Sequence, residues 1–136
     1  MTVGALLKHV FQFNNLGVWM DYSLKPRDLA ATARQLLATL NAPSRLIAHL
    51  ALVHDAAAEI LEAFQARWPA LIIDADIVLF GAAIHDVGKI LHSDELTGSG
   101  SRHECDGPGL LHQYGVTLER ARFALTHGNW QQELSI

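Results

Sequence analysis

The stretch Ala82-Ala83-Ile84-His85-Asp86-Val87-Gly88-Lys89-Ile90 closes an apolar run that begins at Ile77 and brings an imidazole, a carboxylate and an ammonium group to one point of the chain. The run reads as a buried helix. Gly88 is then the expected left-handed residue just beyond the helix end, and Lys89 the cation beside the open carbonyls of the last turn. On that reading the polar groups stand at the mouth of a buried helix, within reach of a small substrate. Imidazole and carboxylate together suit a divalent cation, and a lysine suits a phosphate oxygen.

Working outward, 136 residues fit one domain, and a chain of this size buries roughly two-thirds of its unfolded surface. Half of the residues are hydrophobic and 18% charged, which places the sequence among globular rather than disordered chains. A formal charge of −4 provides no broad cationic face for a nucleic-acid backbone, so duplex binding is not expected. The single cysteine, Cys105, excludes an internal disulfide and a Cys-rich zinc site, and it has no activating neighbour for thiol catalysis. Lys8, His9, Gln12, Asn14 and Asn15 interrupt the apolar residues of the N-terminus, and no run has the length of a membrane span. A cytoplasmic protein is the simplest expectation.

In order, the chain reads as helices separated by short punctuation. Val3 to Phe13 is predicted as a first helix ended by Asn14, Asn15 and Gly17, and Trp19, Met20 and Tyr22 as a connector packed on the body. Pro26 fits a first helical turn, and Leu29, Ala33, Leu36, Leu37 and Leu40 follow at helical spacing, with a stop near Asn41. After Pro43 and Ser44 comes the longest periodic stretch. Leu46, His49, Leu50, Val53, Ala57, Ile60, Leu61 and Phe64 share one apolar face, with Arg45, Asp55, Glu59 and Glu62 opposite. His49 is then a buried histidine that needs a partner, either a backbone carbonyl or a metal. His54 and Asp55 repeat the His-Asp dipeptide off that stripe and read as a decoy.

Trp68 and Pro69 close the long helix, and Asp74 or Asp76 caps the one that ends at His85. Leu91 to Ser101 reads as a flexible loop beside the site. Ser101 and Glu104 have the spacing of a capping box, which puts His103 in a first helical turn. Pro108 argues for a later start at Asp106, with His103 in the loop, and the sequence leaves both open. Thr117 caps a last helix on which Phe123, Ala124 and His127 share a face, and Gly128 stops it.

His49 with Val53 four residues on, the segment Ile84 to Lys89, His103 with Gly107 four residues on, and His127 after an apolar helical stretch together resemble the HD-domain metal-dependent phosphohydrolase superfamily, over roughly residues 43–130. The resemblance implies an all-helical fold with metal ligands on several helices around a shared cleft. By position it makes His49, His85 and Asp86 the ligands of a first metal, and His103 and His127 either ligands of a second metal or contacts to a phosphate. The family pattern ends with another aspartate on a later helix. None follows Asp106 here, which implies either a final helix beyond this sequence or water or another group in its place. His127-Gly128-Asn129-Trp130 departs from the Gly-Tyr-Pro signature of the family's cyclic-dinucleotide phosphodiesterases. Gly88 and Lys89 stand where its guanosine tetraphosphate hydrolases and bacterial nucleotidases carry acids.

The expectation is therefore an all-α, single-domain bundle of about six helices. Residues 1–25 form an N-terminal helix and connector, and 26–136 the HD-type domain, either short of the family's final helix or with water or another group in place of its aspartate. The expected activity is hydrolysis of a phosphomonoester or phosphodiester of a small phosphorylated compound such as a nucleotide. One or two divalent ions (manganese, iron, nickel, cobalt, zinc or magnesium) would lower the pKa of a bound water to make the attacking hydroxide. Lys89 would neutralise a phosphate oxygen or merely sit at a helix end, and Glu104 would exchange a proton or merely cap. His9, His54, His92 and His112 are left outside the site. The alternative is a non-catalytic module of the same type that binds a phosphorylated ligand or a protein partner.

Overall fold

The computed structural model describes residues 11–13, 19–21 and 27–128. Two short strands, β1 (Phe11–Phe13) and β2 (Trp19–Asp21), pair antiparallel with Phe11 opposite Asp21. The expected first helix is thus wrong at its C-terminal end, where alternating Phe11, Gln12 and Phe13 suit a strand; its earlier part, and Tyr22 and Pro26, lie outside the described residues. Trp19 and Met20 belong to β2 rather than to a connector.

From residue 27 the described chain is helical, with the five α-helices expected over this part of the sequence; the sixth expected helix is the N-terminal one, Val3 to Phe13. Helix α1, Ala31–Thr39, starts later than the sequence suggested and buries Ala33 and Leu37. It stops where predicted. Asn41 adopts a left-handed φ of 51°, which asparagine tolerates, and the Asn41 and Ala42 amides donate to Ala38 and Leu37 carbonyls. Helix α2, Ser44–Arg67, runs for 24 residues.

The inner face of α2 differs from the predicted stripe. Leu46, Leu50 and Leu61 are buried as expected, but so are His54 and Asp55, whereas His49, Ile60 and Phe64 are exposed. The reason is charge pairing. Asp55 accepts from His54 Nδ1 at 3.3 Å and from the Arg27 backbone amide at 3.1 Å, while the Arg27 guanidinium reaches Glu59 and Glu62. Residues 54 and 55 can therefore turn inward with their polar atoms satisfied, and the stripe rotates around the helix.

Helix α3, Ala75–Ile84, is the central element. The Asp74 carboxylate caps it by accepting from the Ile77 amide at 3.1 Å. Its almost wholly apolar sequence lets it pack against α1 and α2 on one side and, on the other, against α5, Leu118–Thr126. A side chain at Gly81 would begin 2.6 Å from Phe123 Cγ, so the glycine sets how near α5 can come. Leu37, Leu46, Leu50, Ile84, Val87 and Leu111 are fully buried, each worth about 1.5–3 kcal/mol by transfer from water. Helix α4, Arg102–Gln113, packs on α5 and on the short 3-10 helix Val87–Ile90 that follows α3.

Two local expectations are corrected. Gly88 is not left-handed; it lies in the 3-10 helix, and a Cβ there would overlap the backbone carbonyl of His103. Glycine is required by close approach of chain segments. Pro108 sits inside α4, so His103 does fall in a first helical turn. No helix among the described residues is long and apolar enough to cross a membrane.

Candidate metal centre

Asp86, directly after α3 and 3% exposed, is the hub of the site. Its Oδ2 faces His49 Nε2 at 3.2 Å and His85 Nε2 at 3.7 Å; its Oδ1 faces His103 Nε2 at 3.1 Å and His127 Nε2 at 3.0 Å. Four elements supply these groups: the second turn of α2, the end of α3, the first turn of α4 and the end of α5. The imidazoles form a chain around the carboxylate, with ring centroids 5.3 Å apart for His49 and His85, 5.0 Å for His85 and His127, and 5.4 Å for His127 and His103. All five residues named from sequence as ligands converge.

Three rings are aimed from behind. His85 Nδ1 donates to the Ala82 carbonyl at 2.8 Å, His127 Nδ1 to the Phe123 carbonyl at 3.3 Å, and His103 Nδ1 to Glu95 Oε2 at 2.6 Å. A carbonyl oxygen only accepts, so in His85 and His127 Nδ1 carries a proton, and Nε2 is the atom that points at Asp86. Such end-of-helix imidazole-to-carbonyl bonds also satisfy carbonyls left open by the helix terminus.

The donor set fits a divalent ion. Two groups, His49 with His85 and Asp86, and Asp86 with His103 and His127, each hold their ligand atoms within 4.8 Å of one another. Nitrogen and oxygen ligands stand about 2.0–2.2 Å from a zinc-like ion, so neighbouring ligand atoms in one shell lie roughly 3–3.5 Å apart. The observed separations of 3.0–3.7 Å from Asp86 are of that size. One carboxylate belongs to both groups, one oxygen to each.

Comparison of the chain with protein-family models, curated proteins and solved structures finds no match. The site therefore has to be read from its own chemistry.

Its electrostatics are those of a buried anion among cations. Burial opposes ionisation of Asp86, yet hydrogen bonds from His127 and Lys89 outweigh it and hold the carboxyl far below the usual range. His127 also loses by burial, but Asp86 and then Glu104 shift its pKa upward. His85 is shifted down, chiefly by burial. Metal binding at the His127 side would thus displace a proton.

Lys89 does not lie against helix carbonyls: its Nζ donates to Asp86 Oδ2 at 2.5 Å. Glu104 makes no capping box, since Ser101 gives no side-chain cap to α4. Instead it packs against Gly128 beside His127. Of the histidines set aside, His54 is buried against Asp55, and His92 pairs with Asp106 at 2.6 Å. His112 lies exposed in the last turn of α4, and His9 is outside the described residues.

Sequence reasoning missed Glu95. It is 3% exposed, lies in a second 3-10 helix, Ser93–Leu96, and accepts from the backbone amides of Arg102 and His103, at 3.1 and 3.2 Å, as well as from the His103 ring. Burial raises its pKa, but the His103 and Arg102 hydrogen bonds prevail and bring the carboxyl down to about 2. The segment read as a flexible loop therefore supplies the N-terminal cap of α4. Glu95 stands seven residues before Arg102, too far ahead of the helix start for its sequence position to mark it as a cap.

Proposed function

We propose that this protein is a metal-dependent phosphohydrolase of HD type acting on a small phosphorylated compound, with nucleotides as the first class to test. The observation that carries the reading is the Asp86 carboxylate, with a pair of histidine nitrogens at each oxygen and the Lys89 ammonium against it. A scaffold without a ligand has no use for five ionisable groups gathered around one buried acid.

His49, His85 and Asp86 would hold one divalent ion, and Asp86, His103 and His127 a second. Such ions supply Lewis acidity and an activated water. The protein's own groups do the rest. Asp86 fixes the spacing of the two halves, and the Nδ1 bonds of His85, His103 and His127 keep their Nε2 atoms aimed at it. Lys89, 22% exposed at the edge of the cluster, offers its ammonium to a phosphate oxygen as a point charge. Glu104, beside His127, would pass a proton to the departing oxygen. In the overall reaction the water oxygen bonds to phosphorus, the ester P–O bond breaks, and one water proton ends on the leaving group.

The test is hydrolysis of p-nitrophenyl phosphate and bis(p-nitrophenyl) phosphate by purified protein supplied with manganese, alongside metal content by elemental analysis. Turnover that falls at least about a hundredfold in His85→Ala and Asp86→Ala, together with metal content, supports the proposal. Unchanged turnover in both variants sinks it. Metal bound without turnover by the wild type would instead indicate a binding module.

A further inference from the structure

A cleft of about 510 Å³ opens beside Asp86 and is lined by Arg45, His49, Leu52, Lys89 and Leu96 among others. Lys89 is already engaged with Asp86 at 2.5 Å. Arg45 is different: it is exposed in the first turn of α2, with no acidic residue in that turn and no ion pair to any described residue. A cation at a helix N-terminus is opposed by the helix dipole, so local structure alone does not favour it. An anion in the cleft would relieve that repulsion and meet a free guanidinium.

We propose that this cleft takes a substrate with two anionic groups, the reacting phosphoryl beside Asp86 and Lys89 and a second phosphate on Arg45. The proposal rests on the phosphohydrolase reading and adds the substrate class, a diphosphate or bisphosphate rather than a simple monophosphate. Arg45 and His49 are one turn apart on α2 and project to the same side, their Cβ atoms about 5–6 Å from one another. A group bound at Arg45 is therefore next to the cluster rather than remote from it. The guanidinium fork suits bidentate contact with phosphate, and Leu52 and Leu96 give the remainder of the ligand an apolar wall.

The experiment is calorimetric titration of the full chain, with and without manganese loading, using inorganic phosphate and inorganic pyrophosphate as probes. Pyrophosphate is expected to bind at least about tenfold more tightly than phosphate, and Arg45→Ala to remove most of that preference, a change of about one decade in Kd. Arg45→Lys should restore part of it, because lysine keeps the charge but loses the fork. Circular dichroism and metal content of each variant check that the fold and the centre persist. Equal affinity for the two probes in the wild type, a preference that survives Arg45→Ala, or no binding of either probe overturns the proposal. A preference lost in Arg45→Ala while manganese fails to load would uphold the anion site and refute the metal-centre reading, so the two failures are separable.

Discussion

Glu95 Oε2 stands 2.6 Å from His103 Nδ1, while Nε2 of the same ring faces Asp86 Oδ1 at 3.1 Å. The imidazole is held between two carboxylates, one of which can share a metal. Partners behind a ligating histidine typically affect metal affinity by about 10–100-fold. Glu95→Ala is therefore expected to weaken manganese binding by that order, and Glu95→Gln, which keeps an acceptor, by less. Titration calorimetry of the two variants reads the difference; equal and unimpaired affinities would mean the contact orients nothing.

The two His-Asp neighbourhoods should respond in opposite ways. His54 is 3% exposed and bonded only to Asp55 among the contacts described, whereas the His49 side chain is 46% exposed and faces Asp86. His54→Ala should cost about 1–3 kcal/mol of stability through the polar partner it strands and leave metal content intact. His49→Ala should lower metal content with little loss of stability. Urea unfolding with elemental analysis of both proteins gives the answer, and the reverse pattern would show that the sites have been exchanged.

The convergence of His49, His85, Asp86, His103 and His127 was legible because histidines at the ends or first turns of successive helices are unusual in an apolar chain. The orientation of α2 was not. Hydropathy placed His54 and Asp55 outside, but their mutual bond and the Arg27 amide allowed burial, and such pairings depend on residues 28 positions apart. Glu95 was hidden for the same reason: an acid in a polar stretch looks solvated until the histidine it serves is brought to it. Gly88 was rightly singled out for the wrong cause, since local sequence reveals a missing side chain but not the backbone that occupies its space.

That occupied space makes a third prediction. A methyl group at Gly88 meets the His103 carbonyl, a backbone atom that cannot swing aside. Gly88→Ala should destabilise the fold by about 1–3 kcal/mol as an overpacked position and should weaken metal binding by displacing His103. A denaturation midpoint equal to that of the wild type would show that the two segments do not abut.

Removal of metal should leave the helices in place. The Nδ1 partners of His85 and His127 are carbonyls of their own helices, and that of His103 is Glu95, so the rings are oriented without an ion. Chelator treatment is expected to preserve helical circular dichroism and to lower stability only by the lost binding free energy, about 2.7 kcal/mol at an ion concentration a hundred times Kd, seen as a modest fall in Tm. Collapse of helical signal on chelation would show that the ion organises the bundle.

With both groups of candidate ligands sharing Asp86, ions in the two halves would act as each other's effectors. A cation drawn to Oδ2 withdraws charge from Oδ1, so a second ion would bind more weakly than the first, and the disadvantage is the same whichever half fills first. The number of ions per chain would then be a function of metal supply rather than a fixed property: one under scarcity, two in abundance. A cell's metal status would be written directly into which form of the site is present.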